Sequence, residues 1–316
     1  MVGFIGARQT TLATDIELTG TGVHSGAPAS ILISPSEADS GIRFLLVNGN
    51  GNGTVIPADY RSVANSVLCT VLSDGNGCAV ATVEHLLAAL HGLGVDNALI
   101  EIDNGEVPIM DGSAMPFVDA VDEAGICELD RPRRFIKVLK TVRAEDGQSW
   151  GELSPHDGFH LDVEIEFDTP LIGRQRLQLD LTPNKFRREI ARARTFGFMR
   201  DVEGLWAAGL ALGASLDNTV AIGDDEVVNQ EGTRFPDEFV RHKVLDAVGD
   251  LALAGAPLLG AFHSRRGGHR LNCLVLEALF QDAEAWALIE APRTVGVDHG
   301  ELSLGLATAN YAADRT

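Results

Sequence analysis

Apolar and polar positions alternate through the first third of the chain, and the alternation predicts strands at Ile16–Gly22, Ser30–Ser34 and Ile42–Val47. The stretch NGNGNGT at Asn48–Thr54 has no lysine and no helical pattern after it, so it reads as a loop and not as a phosphate cradle. From Thr82 the period lengthens. TVEHLLAALHGLG offers Thr82 as a cap, good helix formers through Leu90, and Gly92 and Gly94 as stops. VDNALIEI then alternates as a strand, PIMDGSAM supplies a turn, and PFVDAVDEAG predicts a second helix. CELDRPRRF, with its proline and charge cluster, marks a boundary near residue 130.

Beyond it the plan repeats. Strands are expected at Phe135–Val142, Gly151–Leu153, Leu161–Phe167 and Gln175–Leu181, followed by a helix from Pro183 to about Ala193. The clearest helical period lies in PDEFVRHKVLDAVGDLALAG, where Phe239, Val244, Leu245, Val248, Leu251 and Leu253 form one apolar stripe. GAFHSRRGGHRLNCLVLEAL reads as a hairpin-like turn entering a strand, and the residues after His299 as a small polar tail. Two strand-rich halves with few helices predict an α+β protein with domains at residues 1–130 and 131–300 and a tail at 301–316.

Composition narrows the function classes. The 316 residues are 45% hydrophobic and 22% charged, a folded chain's profile. Lys plus Arg number 25 against 45 Asp plus Glu, a net charge of −20 that disfavours a nucleic-acid partner. No apolar run approaches the roughly 18 residues of a transmembrane segment, and the opening MVGFIGARQTT lacks a signal-peptide pattern. Cys69, Cys78, Cys127 and Cys273 are far apart and form no CxxC pair, which suits a reducing compartment. A cytoplasmic monomer is therefore expected.

Candidate chemistry sits in three blocks. In HKVLD, His242 and Asp246 are four residues apart, about 40° around a helix, and can address one divalent ion. Alone, such a pair is more often a surface ion pair. Asp250 continues that face as an orienting partner or a solvated acid. Glu84 and His85 diverge by about 100°, so one could bind metal while the other reaches a nearby water. A lone helical EH more often carries an ordinary half-buried histidine, and His91 faces away. His263 and His269 flank SRRGG, either around a ligand or on an exposed hairpin tip. His156 and His160 share the four-residue spacing, but PHDGFH contains proline and glycine and will not be helical, so they are left out. GxSxG and GxxxxGKS motifs are absent.

Longer blocks carry a family resemblance. TGVHSG (21–26), TVEHLLAALHGLGVDN (82–97), VPIMDGSAMPF (107–117), RARTFGFMRDVE (192–203), DEFVRHKVLDAVGDL (237–251) and GGHRLN (267–272) together resemble the UDP-3-O-acyl-N-acetylglucosamine deacetylases. The similarity runs from about residue 9 to about 280. It implies a zinc-dependent amidase of lipid A biosynthesis that removes acetate from an acylated UDP-amino sugar. It also implies two similar domains, each a sheet with helices on one face, the helices of both packed between the sheets.

By that resemblance His85, His242 and Asp246 hold Zn2+, with ferrous iron the other candidate. Glu84 is the general base, His269 the general acid or electrostatic stabiliser, and Thr195 assists the oxyanion. Lys243, Phe196 and His24 fall at substrate or supporting positions, and Asp250 behind the metal ligands. An insert at about 198–229 makes an acyl passage lined by Phe198, Met199, Val202, Ala211, Ala214, Ser215 and Leu216. The chain departs from the family pattern at Ala214, where glycine is usual, and at Leu216, where phenylalanine is. Arg241, Lys243, Arg265, Arg266 and Arg270 gather positive charge for a diphosphate. The competing readings are an amidase for another acylated amino sugar and an inactive UDP-sugar or acyl-chain binder.

Overall fold

Alternation becomes sheet in both halves of the computed structural model, which describes residues 6–47 and 53–291. Along the first half come β1 (Arg8–Leu12), β2 (Ile16–Thr21), β3 (Pro28–Pro35), β4 (Ile42–Val47), β5 (Gly53–Pro57), β6 (Val63–Asn65), β7 (Val71–Ser73) and β8 (Ala79–Val80). Then follow α1 (Glu84–Leu93), β9 (Ala98–Ile102), α2 (Met115–Ala124) and β10 (Ile126–Pro132). Five strands form a sheet in the order β2-β3-β9-β4-β5, antiparallel except for the parallel β4–β9 pair. β10 turns back to pair with β1, so the first half closes on itself at Pro132.

The second half begins with β11 (Arg134–Val138), β12 (Val142–Asp146), β13 (Ser149–Ser154), β14 (Phe159–Glu166) and β15 (Arg174–Asp180). After them come α3 (Pro183–Lys185), β16 (Phe196–Phe198), α4 (Val202–Ala207), β17 (Val220–Ile222), α5 (Glu238–Leu251), β18 (Leu258–Arg265), α6 (His269–Gln281) and β19 (Trp286–Glu290). Seven of these strands make a second sheet in which β18 pairs with β11, β13 and β14. β16 and β17 are a separate parallel pair joined through α4, a small βαβ unit.

One apolar core joins the sheets. It runs from Ile31, Ile33 and Phe44 through Leu86, Leu87 and Leu90 of α1 and Val244, Leu245 and Val248 of α5 to Leu161, Val163 and Ile165 of β14. The helices of the two halves thus pack between the two sheets, an α+β arrangement. Burial on all sides explains the sequence of α5, in which only Arg241 and Lys243 among its 14 residues escape burial. α1 and α5 approach so closely that a Cβ on Gly249 would lie 2.0 Å from the Glu84 carbonyl oxygen. Only glycine fits there.

Several sequence expectations need correction. Thr82 is not the cap of α1: it has φ +58, and Val83 begins the helix without a side-chain cap. Gly92 lies inside α1, whereas Gly94 ends it in the left-handed conformation as expected. The helix expected to reach Ala193 is α3 capped by Thr182 and continued by a π turn at Phe186–Ile190. Phe135–Val142 is split between β11 and β12. CELDRPRRF, the expected boundary, runs from β10 into β11, and its Arg133 is buried against Asp96. The residues after the Arg265 turn form α6, not a strand; Leu271, Val275, Leu276 and Leu279 repeat at helical spacing and are buried. Residues 48–52 of the glycine-rich loop and the whole tail from 301 lie outside the described residues.

Candidate active site

Glu84 and His85 open α1, His242 and Asp246 share one face of α5, and His269 opens α6. All five side chains are buried. Asp246 Oδ1 lies 3.3 Å from His242 Nε2 and 3.6 Å from His85 Nε2, and one donor atom from each residue lies within 4.8 Å of the other two. Tetrahedral bonds of about 2.0–2.1 Å place neighbouring ligand atoms about 3.4 Å apart, so the triangle has the size of a zinc-type site. Asp246 Oδ1 has no hydrogen-bond partner although it is buried, a costly state that a bound cation removes.

Surrounding bonds fix His242 and Asp246, while the buried Nδ1 of His85 has no hydrogen-bond partner among the described residues. His242 Nδ1 lies 3.1 Å from the Ala193 carbonyl oxygen, which orients the ring with Nε2 toward Asp246. Lys243 Nζ donates to Asp246 Oδ2 at 2.7 Å and so occupies the oxygen that His85 and His242 do not face. Burial pushes His242 down to about 3, with Asp246 opposing, and leaves it a neutral donor. Burial also opposes the charged form of Asp246, but His242, Lys243 and His269 outweigh it and hold the carboxyl well below its ordinary value.

Beside the triangle, His269 Nε2 lies 3.8 Å from Glu84 Oε1 and 3.9 Å from Asp246 Oδ2. Its Nδ1 meets Asp250 Oδ2 at 2.9 Å, and Asp250 is held in turn by Asn272 Nδ2 and the Thr70 hydroxyl. Burial alone would favour a neutral His269, but Asp250, Asp246 and Glu84 raise it to about 9. Glu84 is raised above its ordinary value by burial, against the pull of His269 and His85. Its Oε2 accepts the Thr70 backbone N–H at 3.0 Å, which leaves Oε1 toward His269. A carboxyl raised above its ordinary value next to an imidazole raised to about 9 is the electrostatic signature of acid–base chemistry.

The remaining expected residues fall at graded distances. Phe196 has its ring centroid 6.1 Å from that of His242, with Lys243 Nζ 5.6 Å above it. Thr195 lies two residues beyond Ala193, its backbone fixed by bonds to Gly112 O and from Val220 N. Next to it Arg194 is fully buried against Glu238. His24 contacts the insert, where its carbonyl accepts Leu212 N and its Nδ1 accepts Ala211 N. Phe198 and Val202 are half-buried, while Met199, Ala214, Ser215 and Leu216 are exposed together with Trp206. His263 is on β18 against Asp162, away from this cluster.

The arginines expected to serve a diphosphate are already engaged. Arg241 pairs with Asp237, Arg265 with Glu164 and Glu166, Arg266 with Glu166, and Arg270 faces Asp146 at 3.5 Å. Three supporting groups were missed in the sequence. Thr70 sits in SVLCTVL, an uninformative strand-like stretch, and Glu106 is a loop acid that gathers the backbone N–H groups of His24 and Ser25 and the Thr82 hydroxyl. Asn272 was findable, because it lies one helical turn from His269 once α6 is recognised.

Among the described residues no helix is long and apolar enough to cross a membrane. A model of the LpxC family, described as UDP-3-O-acyl N-acetylglycosamine deacetylase, matches residues 9–281. Proteins named UDP-3-O-acyl-N-acetylglucosamine deacetylase from Brucella ovis and Brucella abortus are 53% identical over 286 residues, covering 90% of this chain and 99% of theirs. The Brucella melitensis relative of the same name is 52% identical over the same shares. With the match spanning both sheets and every element that contributes to the buried cluster, the chain belongs to the UDP-3-O-acyl-N-acetylglucosamine deacetylase family.

Proposed function

We propose that the chain removes the N-acetyl group of a UDP-3-O-acyl-N-acetylglucosamine, giving acetate and the free amine in lipid A biosynthesis. The observation that carries the reading is the buried triangle of His85, His242 and Asp246, with its bare Asp246 Oδ1, set against the Glu84–His269 pair. Two imidazoles and a carboxylate fit Zn2+, with Fe2+ the alternative for the same donors. A divalent ion held there supplies Lewis acidity, polarising a carbonyl and making water a nucleophile near neutral pH.

The chain's own residues supply the proton transfers. Glu84 Oε1, left open because Oε2 accepts Thr70 N–H, takes a proton from the attacking water as the new C–O bond forms. His269 carries its transferable proton on Nε2, since Nδ1 is committed to Asp250, and gives it to the departing nitrogen as the C–N bond breaks. Thr195 donates its hydroxyl to the developing oxyanion. Lys243 and Phe196 border the substrate's path, and His24 supports the rim. Metal analysis of the purified protein, combined with mass spectrometry of acetate release from the acylated UDP-sugar, tests the reading. One tightly held ion per chain and stoichiometric acetate are expected; a metal-free protein that releases none overturns it.

We assign the domain line to residue 130, supported by the passage from β10, which pairs with β1 of the first half, to β11 of the seven-stranded sheet. The βαβ unit with its exposed Met199, Trp206 and Leu216 supports an acyl passage in the insert at 198–229. If Ala214 narrows it, Ala214→Gly should raise efficiency for longer chains over shorter ones by about 1 kcal/mol or less, the worth of about one methylene. An unchanged ratio across a chain-length series removes Ala214 from the passage. Four unpaired cysteines support a reducing, cytoplasmic location, and sedimentation of the purified chain tests whether it is a monomer.

A further inference from the structure

Three histidines gather on the second sheet, on β14, on β18 and in the loop before β14, none of them on the helices that carry the site just described. Along β14, Leu161, Val163 and Ile165 join the core, and His160, Asp162 and Glu164 meet charged partners on the other face. Strand register puts His160 directly opposite Asp180 of β15, and the imidazole Nδ1 meets Asp180 Oδ1 at 2.8 Å. His156, in the loop before β14, brings its ring centroid to 5.6 Å from that of His160. The proline and glycine of PHDGFH prevent a helix, as the sequence indicated. They instead fold the loop back so that His156 and His160 meet.

We infer that His156, His160 and Asp180 form a second divalent transition-metal site, separate from the buried triangle. One donor atom from each of the three lies within 4.8 Å of the other two. Two borderline nitrogen donors and one carboxylate favour Zn2+, Ni2+ or Cu2+ over Mg2+ and Ca2+, which take oxygen shells. His160 is largely covered while His156 and Asp180 are open to solvent, so water completes the coordination.

Neighbouring groups limit the donor set to these three. His263, 6.1 Å from His160 between ring centroids, is held by Asp162, and Asp162 is clamped by Arg176 through both oxygens. Gly158 N–H donates to His156 Nδ1 at 3.1 Å, a single exposed bond that the ring gives up when it turns to coordinate. Solvent exposure and that rearrangement make this the weaker of the two sites.

Equilibrium dialysis of the full chain against excess Zn2+, followed by metal analysis, tests the assignment. The parent chain should hold one ion more than the double variant His156→Asn/His160→Gln, with acetate release unchanged in the variant. His242→Ala should keep the ion that the double variant loses, which separates the two sites even if the reading of the buried one fails. Equal zinc content in the parent and the double variant would overturn the site and leave an ordinary exposed histidine–aspartate pair.

Discussion

The two ends of α1 each face a histidine, and the two histidines behave oppositely. At the N-terminal end His269 stands among Asp250, Asp246 and Glu84 and is raised to about 9. At the C-terminal end His91 is on α1 itself, its ring edge-on to Phe159, where burial and then the charge of Arg133 lower it to about 4. Burial pushes both imidazoles the same way; the sign of the neighbouring charge decides the outcome. The N-terminal end carries the costly features, a bare carboxylate oxygen, a raised Glu84 and a β-branched Thr82 at positive φ. The C-terminal end is conventional: Gly94 caps the helix, Arg133 pairs with Asp96, and a cavity of about 410 Å3 lined by His91, Leu87, Tyr60 and Phe280 holds none of the reactive groups.

The largest effect should come from breaking the triangle at the first end. His242→Ala or Asp246→Ala should lower metal occupancy and reduce acetate release to background, because two donors cannot hold the ion or complete the site. Asp246→Ala also leaves Lys243 without its carboxylate partner. Near-normal metal content and turnover in either variant would remove these residues from the ligand set. Glu84→Gln comes next. It keeps the Thr70 contact in shape and should keep the metal, yet lose about 10²-fold or more in kcat, the usual size of a lost general base. If it strips the metal instead, Glu84 is a ligand.

How much of this contrast could be read in advance follows from the kind of signal each residue leaves. His242 and Asp246 were legible because α5 has an unbroken helical period, which fixes their shared face. Glu84 and His85 were legible as a pair but not as partners of α5, since no local pattern brings residue 84 beside residue 249. The approach depends on Gly249 lacking a side chain. His269 was placed on a hairpin because LNCLVLEAL is nearly continuous in apolar residues, and such a run fits a buried strand or a buried helix equally. Thr70 and Glu106 act through backbone bonds across long sequence separations and leave no periodic trace.

Asp250→Asn sharpens the comparison by making His269 more like His91. Removing that negative charge should lower the His269 pKa, so its proton is lost at lower pH and the basic limb of kcat/KM should move to lower pH. Activity at the optimum should fall about 10- to 100-fold, as for other groups that orient a site's side chains. Asn272 and Thr70 retain a polar partner in this variant, so a folded protein is expected. An unmoved basic limb would mean that His269 does not set it.

The smallest effect belongs to the other end of the helix and concerns stability. His91 is lowered in the folded protein to about 4, against about 6.5 in an unfolded chain, so below pH 6.5 the unfolded state binds a proton that the folded state refuses. Its contribution is therefore fully present above about pH 6.5 and is lost as pH falls toward 4. The full difference corresponds to about 3 kcal/mol, but the ring is partly open to the cavity. Screening there reduces the loss between pH 7 and pH 5 to about 1 kcal/mol. His91→Gln has no titrating group and should flatten the fall of Tm between those pH values by about 2 °C for a chain of this size. Thermal unfolding of both proteins at pH 5, 6 and 7 checks this through the slope alone, whatever the substitution does to packing at pH 7. Parallel slopes would show that His91 is protonated as readily in the folded protein as in the unfolded one, and that Arg133 does not govern this end of α1.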